Sequence, residues 1–279
     1  MNIFTSKKIS INIVSYIILI CMAITCLFPL FWMLSSSLKT QDQIFTDMSL
    51  VPKHPHWSNY LDAWIKGEFN SYFLNSLIYT VCSVVGIVLI SSLAAYGFAR
   101  LDFPMKNFFY LLLIVTLMIP IPGAFIPLYV LLNKLGLLNT RTGLTLCYIN
   151  GGLAFGIFIL RNFFDYLPKD IEDAAKIDGA SKFGIYWRIA LPMARPALAT
   201  LVIFNVLGVW NEFLLALVVL QDKSKMPIQR GLMVFQGTHI TDYPLLMAGI
   251  TIATIPVVIA YIIMQRHIIK GITAGALKQ

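Results

Sequence analysis

The sequence has few charged residues: Asp, Glu, Lys and Arg together make up 12% of its 279 residues, whereas a typical soluble domain contains about 25%. Apolar residues make up 58%. This balance excludes an ordinary soluble domain and predicts a chain that crosses a membrane several times. The net charge of +8 does not require a nucleic-acid partner, and we expect none, because lysines and arginines collect beside anionic membrane lipid.

Residue patterns that hold cofactors or metals are also missing from the sequence. It contains no phosphate-binding G-x-x-x-x-G-K-[ST], no G-x-G-x-x-G after a strand and no H-E-x-x-H. The four cysteines lie in apolar stretches without metal-ligand spacing, and the four histidines are scattered. We therefore expect no catalytic residue, no metal site and no cofactor bound by this chain.

Six apolar stretches are long enough for a membrane-spanning helix of roughly 20 residues. The predicted spans are residues 13–36, 72–97, 107–132, 142–161, 196–220 and 243–265. The first could instead be a signal peptide, since Lys7 and Lys8 precede it, but its apolar stretch is too long and lacks a small-residue cleavage site. The predicted fold class is an all-α polytopic membrane protein, with residues 1–279 forming a single transmembrane domain.

The distribution of basic residues predicts the orientation of these spans. With the N-terminus inside, the inner segments hold thirteen lysines and arginines and the outer segments hold eight, three of them in one long loop. Positive residues favour the cytoplasmic side. We therefore expect a multi-pass protein of the inner (plasma) membrane with both termini in the cytoplasm.

One polar segment, residues 168–192, separates the fourth and fifth spans. It reads P-K-D-I-E-D-A-A-K-I-D-G-A-S-K-F-G-I-Y-W-R-I-A-L-P, and six of its first eleven residues are charged, so it cannot lie in lipid. Pro168 and the acidic residues after it favour a helix start, Gly179 permits a bend, and Pro192 ends a second helix. The orientation places this segment in the cytoplasm.

Each half of the polar segment has apolar residues at helical spacing. The first helix presents Ile171, Ala174 and Ala175, and the second presents Ala180, Phe183, Trp187 and Ala190. This pattern predicts a helix-turn-helix segment that projects from the inner face. An amphipathic linker lying on the membrane surface would have the same pattern.

The polar segment resembles a known motif. D-A-A-K-I-D-G, from Asp173 to Gly179, is followed after nine residues by I-A-L-P, from Ile189 to Pro192. This arrangement resembles the E-A-A-x-x-x-G-x9-I-x-L-P motif of importer permeases of the ATP-binding cassette (ABC) class. Asp173 stands where that motif has glutamate, and Glu172 comes just before it.

Three further stretches are similar to the carbohydrate branch of that family, which includes the second membrane subunit of maltose importers. They are P-x-W-S-N-Y from Pro55 to Tyr60, W-N-E-F from Trp210 to Phe213, and the tail from Arg266 to Lys278. The resemblance runs from the first span to the last residues of the chain.

The resemblance implies a division of labour between subunits. The polar segment would be a coupling helix seated in a cleft of a separate ATPase subunit, whose hydrolysis of ATP switches the spans between inward-facing and outward-facing states. The implied partners are a second permease subunit in a heterodimer, two ATPase subunits that bind ATP and Mg, and an extracytoplasmic solute-binding protein. The implied coupling residues are Glu172, Asp173, Ala174, Ala175, Asp178, Gly179, Ile189, Leu191 and Pro192. The tail from Lys270 to Gln279 would lie against the ATPase pair, although its two glycines are equally consistent with a flexible end.

Glu212 is the one acidic residue within a predicted span. An acid there is a functional hypothesis by default. Together with Trp210 and Asn211 it could line a translocation path, where an aromatic face and polar groups would suit a sugar. The alternative is an acid near the outer interface that a neighbouring helix or the partner subunit holds.

Some predicted spans contain regularly spaced small residues, and one is interrupted by prolines. Ser91, Ala95 and Ala99 recur every four residues, as do Gly152 and Gly156, and this spacing predicts close helix contacts. Three prolines, Pro120, Pro122 and Pro127, interrupt the third span. Such breaks either border a water-filled pathway or are ordinary kinks.

These observations predict a permease subunit of a carbohydrate importer without catalytic residues of its own. An importer of the same class for a glycerol-phosphate compound, an osmolyte or a peptide would have the same motif. An ion-coupled secondary transporter would need inverted repeats and several intramembrane charges, whereas this sequence has one acid and no clear repeat.

Overall fold

The computed structural model describes residues 3–118, 121–237 and 240–276. In this part of the chain the regular elements are helical, and the only β-pairing is an isolated bridge between Gln236 and Thr241. The prediction of an all-α protein is confirmed. The α-helices in chain order are α1 (Ile3–Ser37), α2 (Gln41–Thr46), α3 (Ser58–Lys66), α4 (Phe69–Arg100), α5 (Lys106–Thr116), α6 (Phe125–Lys134), α7 (Arg141–Asp165), α8 (Lys169–Ile177), α9 (Lys182–Ile185), α10 (Leu191–Met193), α11 (Arg195–Trp210), α12 (Leu214–Val219), α13 (Ile228–Gly231) and α14 (Tyr243–Ala276).

Four helices in the described ranges are long and apolar enough to cross a membrane. They are Val14–Ser37, Phe69–Arg100, Arg141–Asp165 and Tyr243–Gln265, which correspond to predicted spans one, two, four and six. A bent pair, Lys182–Met193 and Arg195–Trp210, passes the same test as a unit although its two parts meet at 74°. The chain is therefore an integral membrane protein.

The third predicted span, residues 107–132, is not one continuous helix. Helix α5 ends at Thr116, a 3-10 turn covers Ile121–Ala124, and α6 begins at Phe125. Proline lacks an N–H and cannot continue a helical hydrogen-bond ladder; Pro122 lies in the 3-10 turn and Pro127 in the first turn of α6. With 11 residues, α5 is only about 16 Å long at 1.5 Å per residue, so it cannot cross alone.

The fifth predicted span, residues 196–220, is also interrupted. Helix α11 ends at Trp210 and α12 begins at Leu214, so residues 211–213 form a break that the apolar pattern did not predict. Glu212 lies inside this break, and its contacts, described below, explain why the helix restarts there.

The chain divides into two compact units, Met1–Phe69 with Leu232–Thr254 and Asn70–Gly231 with Ile255–Gln279. In the first unit, the apolar stretch of α1 has none of its most apolar window buried within the chain. Exposed apolar surface on this scale is unfavourable in water. Lipid or another membrane subunit must therefore cover α1.

Side-chain hydrogen bonds order the loop that follows α1. Lys39 is buried, and its Nζ donates to the carbonyl oxygens of Asp47 (2.6 Å) and Ser49 (2.7 Å). Asn59 Nδ2 donates to the carbonyl oxygens of Ser37 (2.8 Å) and Lys39 (3.0 Å). Asn59 belongs to the P-x-W-S-N-Y stretch, so this residue of the carbohydrate-branch motif has a structural role in the first unit.

The second unit contains close contacts between α4 and α7. A Cβ atom added at Gly156 would lie 2.7 Å from Ser91 Oγ, and one added at Gly152 would lie 2.5 Å from the Cδ1 atom of Ile87. No larger side chain fits at either glycine without a shift of its neighbours. The prediction that these small residues form helix contacts is confirmed for Ser91, Gly152 and Gly156.

Candidate functional site

The first half of the polar segment forms α8, from Lys169 to Ile177. Pro168 lies at the N-cap position of α8, one residue before the first helical position that proline favours. At the other end Gly179 has a φ of +80°, a left-handed conformation that favours glycine. The Gly179 N–H donates to the carbonyl of Lys176 (3.0 Å) and the Ala180 N–H to that of Ala175 (2.9 Å), which is the Schellman arrangement of a helix end. The predicted bend at Gly179 is confirmed.

The second half of the polar segment is less regular than predicted. After the short helix α9, residues Tyr186–Ala190 form a π-helical turn, and α10 follows. The wider π turn changes which residues share a face. Phe183 and Trp187 are 65% and 53% exposed whereas Ala190 is buried, so the predicted apolar stripe does not form a single face. Pro192 lies inside α10, and the helical segment ends one residue after it, at Met193.

The predicted coupling residues differ in exposure. Asp173, Ala174, Asp178 and Gly179 are exposed, Ala175, Ile189, Leu191 and Pro192 are partly buried, and Glu172 is buried. Because Ala174 and Glu172 are two positions apart on a helix, their side chains point to nearly opposite sides. The exposed side of α8 therefore carries Ala174 together with Ile177, which is 87% exposed, next to charged residues such as Asp173.

The two acidic residues of the motif have different environments. Asp173 accepts a hydrogen bond from the Lys176 ammonium at 2.7 Å on the surface, and this bond lowers the pKa of Asp173. Glu172 Oε1 accepts from Arg100 Nε at 2.6 Å, and both side chains are less than a tenth exposed. The buried ion pair thus belongs to Glu172 and not to the residue at the motif's glutamate position.

Arg100, the last residue of α4, was not predicted as a site residue. Its Nη2 also donates to the carbonyl oxygen of Leu167, at 2.7 Å. The sequence showed Arg100 only as one basic residue at the inner end of a span. No local pattern connects it with Glu172, which lies 72 residues later.

A second polar contact joins α4 to the π-helical turn. The hydroxyls of Tyr186 and Ser92 form a buried hydrogen bond of 2.8 Å. The ring of Tyr96 lies between these contacts, with its centroid 5.3 Å from that of Tyr186 and 5.7 Å from that of Phe164. Both halves of the polar segment therefore contact the same helix, α4.

The three residues predicted to line the translocation path lie at the end of α11 and in the break after it, and their environments differ. Trp210 is buried, with its ring edge-on to Phe73 at 5.5 Å between centroids. Asn211 is exposed, and its Nδ2 donates to the carbonyl of Leu207 at 2.9 Å. The structure thus places only Asn211 fully on the surface of this chain.

Glu212 is held by three hydrogen bonds. Its carboxylate accepts from the backbone N–H groups of Leu215 (2.7 Å) and Ala216 (3.2 Å) and from the hydroxyl of Tyr148 (3.0 Å). Backbone N–H groups at a helix start are otherwise unpaired, and a carboxylate there also interacts favourably with the helix dipole. Glu212 therefore caps α12 and joins it to α7, as the alternative of an acid held by a neighbouring helix had predicted.

A few predicted features fall at or beyond the limits of the described residues. The backbone of the predicted tail is helical up to Ala276, within α14. Pro120, His239 and residues 277–279 lie outside the described residues. Within the described ranges, no group of three or more His, Cys, Asp and Glu side chains could hold a metal ion.

Comparisons with known proteins match most of the chain. Residues 86–274 match the family described as binding-protein-dependent transport system inner membrane component. The chain is similar to a diacetylchitobiose uptake system permease protein of Streptomyces coelicolor, 35% identical over 95% of this chain and 88% of that protein. It is also similar to an arabinooligosaccharides transport system permease protein of Bacillus subtilis, 32% identical over 90% of each chain.

A solved structure has a similar fold. It is a chain of a bacterial ABC transporter involved in the import of the acidic polysaccharide alginate. The TM-score is 0.82 at 26% sequence identity, and the match covers 94% of this chain and 97% of that chain. The agreement extends over nearly the full length of both chains.

Proposed function

The chain belongs to the family of inner membrane components of binding-protein-dependent transport systems, and from this premise we propose that the solute it helps to import is an oligosaccharide. It is a membrane-spanning permease subunit of an ABC importer for a sugar. The observation that carries the solute class is the similarity over 95% of the chain to a diacetylchitobiose permease protein. The names of the arabinooligosaccharide relative and the alginate transporter support the same class.

The subunit works with partners that bind the nucleotide and deliver the solute. The proposed assembly is a heterodimer with a second permease subunit, two ATPase subunits that bind ATP and Mg, and an extracytoplasmic solute-binding protein. The family description, which names the dependence on a binding protein, supports this assembly. In this proposal both termini lie in the cytoplasm, and the chain itself hydrolyses no ATP.

The exposed side of α8 is the proposed contact with the ATPase. Ala174 on this side has only a methyl group, and Ile177 adds exposed apolar area. A small apolar face can seat closely in a groove, and burying it releases water from apolar surface. The bend at Gly179 and the Schellman end keep α8 short and set its direction relative to α9.

The break at residues 211–213 is the proposed border of the translocation path. An interrupted membrane helix is tolerated where protein or a water-filled cavity satisfies its backbone. In this proposal Asn211 presents an exposed amide, which suits the hydroxyls of a sugar, and Glu212 holds the break open by capping α12. The buried ring of Trp210 packs on Phe73 and supports the break from inside the chain.

The solute class is tested by uptake into proteoliposomes. The full complex would be reconstituted with its binding protein and internal ATP, and offered radiolabelled diacetylchitobiose, arabinotriose and maltotriose, with glycerol 3-phosphate, glycine betaine and a tripeptide as comparison solutes. We expect ATP-dependent accumulation of at least one of the oligosaccharides and of none of the comparison solutes. Accumulation of a comparison solute instead would contradict the proposed solute class.

A further inference from the structure

We propose that the inner end of α4 is the element through which the polar segment moves the membrane helices, and that Arg100 and Ser92 are the positioning residues that hold the segment to it. The inference rests on the proposed function, because it assumes that residues 168–192 dock on the ATPase. In this inference the buried side of α8, with Glu172, contacts α4, whereas the exposed side, with Ala174, contacts the ATPase.

Three residues of α4 form its contact surface for the polar segment. Ser92, Tyr96 and Arg100 are spaced four residues apart, so they lie in one row along a single face of the helix. They contact the polar segment at two places: Arg100 contacts α8 at Glu172, whereas Tyr96 and Ser92 both contact Tyr186 in the π-helical turn. The row therefore holds the polar segment at two separated points, Glu172 and Tyr186, so the segment cannot rotate about either contact.

Arg100 makes two hydrogen bonds from different nitrogen atoms of its planar guanidinium group. Nε bonds the carboxylate of Glu172 and Nη2 bonds the carbonyl of Leu167, so one side chain fixes both α8 and the turn that leads into it. A lysine has a single ammonium nitrogen and lacks this planar fork. Because both charged groups are buried, they are poorly screened by solvent, and loss of one partner leaves the other charge buried without compensation.

The covalent connections of the polar segment to α7 and α11 are less rigid than its contacts with α4. Toward α7 the chain passes through a turn at residues 166–168, and toward α11 it bends by 74° at Ala194. Turns and bends absorb changes of backbone angle. The buried pair with α4, by contrast, resists separation, so a displacement of α8 is transmitted to α4 at Arg100.

The inference is tested with a variant that removes the buried ion pair without leaving an unpaired charge. Arg100→Gln combined with Glu172→Gln removes both buried charges together, so it avoids the uncompensated charge that a single change would leave. Three quantities would be measured on the reconstituted full complex: the ATPase subunits retained, the ATP hydrolysed, and the oligosaccharide accumulated per ATP from the diacetylchitobiose, arabinotriose and maltotriose panel. Asp165→Asn is the matched control, because it removes a more exposed carboxylate that pairs with Arg161 within α7.

We expect the double variant to retain its ATPase subunits and to hydrolyse ATP, while uptake per ATP falls about tenfold, the size of a typical coupling between sites. The control should match the wild type in all three quantities. Uptake per ATP equal to that of the wild type would overturn the inference. Loss of the ATPase subunits would also overturn it, because the ion pair would then only support the docking surface. An equal fall in uptake per ATP in the control would overturn it as well.

Failure of the proposed function would give a different result. In that case the wild-type complex itself would show no ATP-dependent uptake of any oligosaccharide in the panel. Failure of the inference alone would leave the wild type active and would show in the double variant or its control, in one of the three ways just given.

Discussion

The contacts of Glu212 predict that this acid stabilises the break between α11 and α12. The perturbations are Glu212→Ala, which removes all three hydrogen bonds, and Glu212→Gln, which keeps one amide oxygen. A helix cap contributes about 0.5 to 2 kcal/mol, a charge at a helix start about 0.3 to 1, and a hydrogen bond such as that from Tyr148 about 0.5 to 1.5. We therefore expect a loss of about 1 to 4 kcal/mol for alanine and a smaller loss for glutamine.

The assay is thermal unfolding of the purified complex, followed by uptake kinetics of each variant that remains assembled. At about 2 to 4 °C per kcal/mol, alanine should lower the Tm by several degrees. Glu68→Gln is the control, since Glu68 is an exposed acid with no role in the break, and its Tm should be unchanged. An unchanged Tm for both Glu212 variants together with a raised KM for the solute would refute the capping argument and place the carboxylate in contact with the solute.

Three further predictions concern other parts of the second unit. Gly179→Ala should destabilise the complex by about 1 to 2 kcal/mol, because an L-residue is strained in the left-handed conformation at φ +80°; a lowered Tm would show this, and an unchanged Tm would contradict it. Gly156→Val should prevent assembly or lower the Tm strongly, since its first side-chain carbon alone would lie 2.7 Å from Ser91 Oγ. Gly151→Val is the control and should be tolerated, because a Cβ atom added at Gly151 would meet no atom of another helix within 4 Å. Lys176→Cys should react with a membrane-impermeant thiol reagent in inverted vesicles and not in intact cells, and the reverse pattern would overturn the proposed orientation.

The apolar pattern and the short motifs predicted much of this fold. Long charge-free stretches require helices in lipid, because every backbone polar group must be satisfied within the segment, so four predicted spans appear as long helices. The Gly179 bend was also predictable, because glycine tolerates the left-handed conformation at little cost. The spacing of small residues likewise predicted that Ser91 and Gly156 lie at helix contacts.

The prolines of the third span indicated its interruption, whereas the break in the fifth span was harder to predict. A helix restart after residue 213 depends on Glu212 meeting Tyr148 across 64 residues of chain, which local sequence does not show. The π-helical turn at Tyr186–Ala190 is stabilised by tertiary contacts such as the Tyr186–Ser92 bond. The burial of Glu172 depends on Arg100 in the same way. Each difference reflects a contact between residues far apart in the sequence, and such contacts override local propensity.

The most direct test of the coupling account is the substitution Ala174→Arg on the exposed side of α8, with Lys169→Arg as the control on the same helix. Ala174 is exposed in this chain, so arginine should not disturb the fold, while overpacking a groove built for a methyl group costs about 1 to 3 kcal/mol. The measurement is the ratio of ATPase to permease in the purified complex together with uptake per ATP. We expect the Ala174 variant to lose its ATPase subunits or to hydrolyse ATP without uptake, and the Lys169 variant to behave as the wild type. An Ala174→Arg complex with stoichiometric ATPase and wild-type uptake would contradict the claim that residues 168–192 couple the two subunits.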